Sequence, residues 1–326
     1  MREIKRIDVH HHIVPKEYVQ ELNNKGIQTS LGHTFPDWNA DKSLEIMDRF
    51  GISLAVISIS APGVYFNPQD TPDSFSSKLS RQTNEICAEL INTYPERFAA
   101  FATLPLPYLE SALREMEYAL DVLKLDGVVL LSNYDGRYLG DPYYEEIMQE
   151  LNRRKAIVFV HPQVTPGLES GFSGYPPYMM DVCWDTTRTA YSMILSGVME
   201  KYPEIRFILA HAGGAVPYLA GRLSTMTKLG LPYVDNEKVI PKGIEHYLKR
   251  FCYDTAISAS PYTLASLHAL AGSSNILLGT DYVFAPVGCV PLTIQGVRDY
   301  DGFSEKDLVC IEYENALSLF PRINQV

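Results

Sequence analysis

The chain has 326 residues, 46% of them hydrophobic, enough for one large α/β domain or two small ones with a well-buried core. Its formal net charge of −11, without any run rich in lysine or arginine, argues against nucleic acid or an anionic membrane as a partner, and leaves a small anionic molecule open because a metal or one buried arginine reverses a local field. No apolar stretch approaches the ~20 residues that span a bilayer, and the opening residues lead into a strand without a signal-peptide core. Five scattered cysteines with no Cys-x-x-Cys pair suit reduced thiols, so a cytoplasmic protein is expected.

In chain order, the first strand-like run is Ile7-Asp8-Val9, which ends in His10-His11-His12. Strict alternation puts His10 and His12 on one face, with Asp8 one layer below them, and His11 on the other. Residues 13–42 lack a clean period and read as a loop insertion at a pocket wall. A helix over 43–50 and a strand over 54–60 follow. Helices over 73–94, 109–124 and 141–155 then precede strands over 99–105, 127–132 and 157–162. A second insertion, 163–184, is aromatic and rich in Gly and Pro. Beyond it come a helix to about 201, a strand over 206–211, helical pieces over 216–225 and 243–249, a strand over 251–256, a helix over 261–271, a strand over 275–281 and a last helix over 304–319. Eight apolar strands alternating with helices, with no internal break in composition, predict one domain over 1–326, a (β/α)8 TIM barrel of the α/β class with both insertions covering its mouth.

Active sites of such barrels lie at the C-terminal strand ends, and here those ends carry His10 and His12, His161, His211 and Asp281. Four of the chain's eight histidines thus converge on one mouth with a carboxylate, a set suited to a divalent transition metal. Two-metal barrels of the His-x-His type commonly bridge their ions with a modified lysine at the end of strand 4. Strand 4 here ends Leu130-Leu131-Ser132-Asn133-Tyr134, so a single ion is expected. His10, His12, His161 and Asp281 supply three nitrogens and one oxygen and leave a position for water or substrate. That leaves His211 as a free imidazole, able to act as general acid or base, while Asp281 both holds metal and exchanges a proton. His11 reads as a packing residue, and His246 and His268 as structural helix residues. His33 lies in the first insertion, where contact with substrate is the less favoured reading. Phe35, Trp38, Phe172, Tyr175 and Phe284 are candidate ring-contacting walls.

Together, Asp8–His12, Val160-His161-Pro162, Ala210-His211-Ala212-Gly213-Gly214-Ala215-Val216-Pro217, Tyr253-Asp254-Thr255-Ala256 and Gly279-Thr280-Asp281-Tyr282 resemble the amidohydrolase-related (amidohydrolase 2) branch of the metal-dependent amidohydrolase superfamily. That branch includes the aminocarboxymuconate-semialdehyde, resorcylate, vanillate-type and methylsalicylate decarboxylases. The segments 101–107, 151–155 and 210–214 are most similar to its 6-methylsalicylate decarboxylase-like subgroup, and 315–320 to its closing helix. The resemblance implies a non-oxidative decarboxylase of a small aromatic or conjugated acid with no organic cofactor. It implies zinc, or alternatively manganese, on His10, His12, His161 and Asp281, with His211 unliganded and catalytic. It further implies a homodimer in which Arg222 crosses the interface to the substrate carboxylate. Trp38 and Phe284 complete the expected substrate contacts. A second substrate arginine of those relatives has no counterpart, since 25–42 contains no Arg, and Val283 stands where relatives have proline. The same ligands serve the alternative, a metal-dependent hydrolase of a lactone, amide or ester, by activating metal-bound water.

Overall fold

The computed structural model describes residues 6–66, 72–163, 167, 174–230 and 235–323. Its centre is the expected (β/α)8 barrel: β1 (Ile7–His12), β2 (Leu54–Ser58), β3 (Phe98–Thr103), β4 (Gly127–Leu131), β5 (Ile157–His161), β6 (Arg206–Leu209), β7 (Cys252–Asp254) and β8 (Ile276–Leu277). They follow one another around the sheet in chain order, and the hydrogen-bonded neighbours are all parallel. The circle closes where the Val9 N–H donates to the Leu278 carbonyl (2.9 Å) and the Asp281 N–H to the His10 carbonyl (2.8 Å).

Alternation divides the apolar residues into two cores. Ile7, Val9, Val56, Phe101, Phe159 and Ile208 fill the barrel interior, and Phe320 of the C-terminal segment joins them, 5.7 Å from the Phe101 ring. The larger core lies between barrel and helices. Burying both faces of every strand is what makes the strand sequences apolar throughout.

The first strand departs from strict alternation. Its register against β2 slips between Asp8 and His11, so Asp8 pairs with Ala55 and His11 with Ile57. The extra residue is a β-bulge, and a bulge inverts the facing of everything beyond it. Val9 therefore packs inward and so does His10, while Asp8 is turned to the helix side with His11. Asp8 does not lie one layer below the two histidines as alternation predicts. It accepts from the Thr280 hydroxyl (2.6 Å) and the Thr280 N–H (3.0 Å), joining β1 to the segment after β8.

Among the described residues, two helices of nine residues or more are not legible in the sequence. The first insertion opens with a helix, Lys16–Asn24, that fully buries only Tyr18 and Leu22, a spacing of four, with Val19 partly buried beside them and the rest polar. A further helix, Cys289–Asp299, is disguised by Pro291 and Gly296. The proline sits in its first turn, where no intrahelical N–H is lost, and Gly296 lets the helix approach Ala259, whose carbonyl oxygen would lie 2.0 Å from an added Cβ.

Candidate metal centre

His10, His12, His161 and Asp281 come together at the C-terminal barrel mouth, all buried, with one donor atom from each within 4.8 Å of the others. His10 Nε2 and His12 Nε2 are 2.9 Å apart, and Asp281 Oδ1 lies 3.3 Å from the first and 3.2 Å from the second. Donors about 2 Å from one tetrahedral ion stand roughly 3.3 Å from one another, so His10, His12 and Asp281 already have the spacing of one ion's ligands and His161 has to draw in slightly to join them.

Each imidazole is oriented from behind. His10 donates from Nδ1 to Asp254 Oδ2 (2.8 Å), which fixes its tautomer and aims Nε2 at the centre. His161 Nδ1 is 3.0 Å from the Pro162 carbonyl, and His12 Nδ1 is 3.2 Å from the Ser58 hydroxyl. Asp254 is the residue that strand-end reasoning passes over: fully buried, it also accepts from the backbone N–H groups of His211 and Ala256, both at 2.9 Å. One carboxylate thus positions one of the four donors and the turn bearing His211. Its place at the end of β7 is the available signal.

Space for this packing comes from glycine. A Cβ at Gly279 would lie 2.8 Å from His10 Cβ and 3.0 Å from Asp254 Cβ. At Gly214 (φ 63°) it would meet the Cys183 carbonyl oxygen at 2.0 Å, so the chain after His211 can hug the helix Asp181–Leu195 only as glycine. His211 and Asp281 are themselves left-handed, with φ 54° and 61°, a strain of about 1–3 kcal/mol each that clusters at functional sites.

The cluster is electrostatically asymmetric. Burial disfavours charge on His10, but Asp254 and Asp281 outweigh it and raise its pKa to about 10. Burial and the neighbouring rings hold His161 well below the usual histidine range, and His12 is lowered by burial and by His10 despite its bond to Asp281. Asp281 is held well below the ordinary carboxylate range: burial opposes ionisation, and His10 and His12 more than overcome it. In the metal-free protein below that pKa, His10 therefore carries a second ring proton, on Nε2, and an incoming ion must displace it. Metal affinity should rise about tenfold per pH unit from roughly pH 7 to the His10 pKa, because the ion competes with that single proton, and then level off. Calorimetry in buffers of different ionisation enthalpy should show one proton released per ion. An affinity independent of pH over this range would contradict the assignment.

The His211 ring stands 5.0 Å from that of His10 and 6.2 Å from that of His161, outside the four-donor set, with Nδ1 3.1 Å from the Ala256 carbonyl. It lines, with His161 and Asp281, a cavity of about 420 Å³ whose walls are mostly apolar. Phe284 is one wall, its ring 5.7 Å from His12. Ser30, Leu31 and His33 of the first insertion and Tyr178, Met179 and Cys183 of the second also face it, none of them favoured by the sequence.

Trp38 is not in this cavity. Its indole N–H needs a buried acceptor and finds the Ser43 hydroxyl (2.8 Å), which in turn meets His11 Nε2 (2.9 Å), so the ring packs behind the barrel wall. His11 is the expected packing residue, its Nδ1 3.0 Å from Asp8. Phe35 lies beside Trp38 in a separate cleft, Tyr175 is exposed, and Phe172 falls outside the described residues. Arg222 is exposed on the helix Val216–Lys228, away from the cavity lining of its own chain. The five cysteines are free, and no helix among the described residues is long and apolar enough to cross a membrane.

The family model described as amidohydrolase matches residues 7–322. A 6-methylsalicylic acid decarboxylase from Penicillium expansum is 32% identical over 327 residues, covering 98% of each chain. A solved structure described as amidohydrolase II superposes with a TM-score of 0.88 at 28% identity, covering 96% of this chain and 99% of that one. At 22% identity, 5-carboxyvanillate decarboxylase from Novosphingobium aromaticivorans, solved with manganese and 4-hydroxy-3-methoxy-5-nitrobenzoic acid, has the same fold, with a TM-score of 0.82 over 97% of this chain and 96% of its own. From strand order, metal donors and the match along nearly the whole sequence, the chain belongs to the amidohydrolase family.

Proposed function

We propose that the protein is a metal-dependent, non-oxidative carboxy-lyase acting on a small aromatic or conjugated carboxylic acid. The observation that carries this reading is the joining of a buried three-nitrogen, one-oxygen donor set and an unliganded imidazole, His211, to a mostly apolar cavity. The decarboxylases among its relatives support it. His10, His12, His161 and Asp281 would hold one divalent ion, zinc by its preference for this donor set, with manganese the alternative. When bound, the ion supplies electrostatic stabilisation of the negative charge on the substrate oxygens.

The chain's own groups do the rest. Phe284 and the apolar walls hold the ring face and exclude water. His211 or Asp281 delivers a proton to the carbon that bears the carboxylate. Because Asp281 is held ionised, any proton it delivers must first be taken from the substrate's acid or hydroxyl group. The carbon–carbon bond then breaks, its electron pair restores conjugation, and carbon dioxide leaves. Turnover in deuterium oxide should give a product with one deuterium at the former carboxyl carbon, read by proton NMR. Unlabelled product, or ring opening of a lactone without carbon dioxide, would favour hydrolysis.

A homodimer fits the same reading. Tyr218, Arg222 and Met226 are spaced by four along one helix, all exposed, and Arg222 has no hydrogen bond or ion pair with other described residues. Such a stripe of aromatic, arginine and methionine has the composition of an interface core. Arg222 would then supply a cation to the partner's cavity. Mixing inactive His211→Ala with inactive Arg222→Ala should restore roughly a quarter of wild-type activity, since random pairing of protomers makes half the dimers mixed and each carries one intact site. No recovery, with subunit exchange demonstrated, would remove the cross-subunit role. The free thiols fit a reducing, cytoplasmic setting.

A further inference from the structure

The two insertions touch over the cavity. In the first, Thr29–Ser30 and His33–Thr34 form a short antiparallel ladder that turns through Leu31 and Gly32. The second crosses it: the Tyr178 N–H donates to the Leu31 carbonyl (3.3 Å), and Gly32, at φ 92°, lies so close that an added Cβ would be 2.7 Å from Pro176 Cβ. Above this contact the His33 imidazole stacks on the Tyr178 ring, with centroids 3.9 Å apart and planes 25° from parallel.

That stack fixes the plane of His33 and leaves its edge unused. Its ring nitrogens have no hydrogen-bond partner among the described residues, although the side chain is half-buried and lines the cavity. A polar edge in that position is stabilised when a bound molecule completes its hydrogen bonds. The geometry also orders the cavity end to end. Phe284 lies between the metal-binding histidines and His33, its centroid 5.7 Å from His12 and 6.5 Å from His33. Among the described lining residues there is no lysine or arginine, and His33 is the only nitrogen base apart from His161 and His211. An aromatic acid lying along Phe284 with its carboxylate at the metal end turns its opposite edge toward His33.

We propose that His33 is a specificity-determining residue that hydrogen-bonds a hydroxyl or similar oxygen substituent on the substrate ring, at the edge opposite the carboxylate. This rests on the decarboxylase reading for the orientation of the acid. Tyr178 acts through His33, as the platform that holds the imidazole in plane.

The test compares 2,4-dihydroxybenzoate with 2-hydroxybenzoate, which differ only by the distal hydroxyl. Calorimetric titration of the metal-loaded enzyme in a His211→Ala background measures binding without turnover. Added to that background, His33→Phe keeps the aromatic stack and removes both nitrogens, while His33→Asn keeps a hydrogen-bonding edge. The enzyme with His33 intact should bind the 4-hydroxylated acid about tenfold tighter than its analogue, the worth of one good hydrogen bond. His33→Phe should erase that preference without weakening 2-hydroxybenzoate, and His33→Asn should keep most of it. The same preference in the His33→Phe variant as in the enzyme with His33 intact, or no preference with His33 intact, would overturn the proposal. Carbon dioxide release is followed separately with His211 present: none from either acid, with the preference intact, would count against the decarboxylase and leave the recognition by His33 standing.

Discussion

His211→Ala should retain a full equivalent of metal and lose turnover by about 10²–10⁴-fold, the usual worth of a positioned general acid or base. Both halves of the expectation come from geometry. The four donors that can surround an ion are complete without His211, whose ring stands beside them and is anchored through Nδ1 to the Ala256 carbonyl. Removing the imidazole deletes a group facing the cavity and leaves the donor spacing intact. Metal analysis and steady-state rates on the same preparation check both parts, and loss of metal from the variant would show that His211 is a ligand.

Asp254 is expected to matter almost as much, although it touches neither metal nor substrate. Asp254→Ala strands three buried donors at once: His10 Nδ1–H and the backbone N–H groups of His211 and Ala256. Leaving buried donors unpaired costs about 1–3 kcal/mol each, so the loss of stability should reach roughly 3 kcal/mol or more. Asp254→Asn is the more informative change, because it keeps the shape and one acceptor while removing the charge that orients and polarises His10. Its fold should survive, with metal affinity lower by about 10–100-fold. An Asp254→Asn protein that binds metal as tightly as the wild type would remove the positioning role.

The barrel and the gathering of the four donor residues are legible in the sequence for one physical reason. Strands buried on both faces cannot carry polar residues along their length, so His161 and Asp281 at the ends of apolar runs stand out and the topology gathers them. What escapes depends on contacts between segments far apart in the chain. Alternation misplaces Asp8, because the bulge in β1 is set by pairing with β2 and is invisible in the run Ile7–His12. Trp38 looks like a pocket wall until Ser43 is seen to take its N–H. The insertions are readable as chain segments, but the crossing of Leu31–His33 with Pro176–Tyr178 requires the fold. Asp254 lies in plain view at a strand end, and only its two-sided hydrogen bonding distinguishes it from a structural carboxylate.

The most direct measurement is carbon dioxide release by protein stripped of metal and then reloaded with one equivalent of zinc or manganese, offered a panel of hydroxybenzoates and, in parallel, lactones. A single-metal decarboxylase releases carbon dioxide stoichiometrically from at least one acid, only when reloaded, and leaves the lactones closed. Lactone opening by the reloaded protein with no carbon dioxide from any acid would contradict the carboxy-lyase assignment.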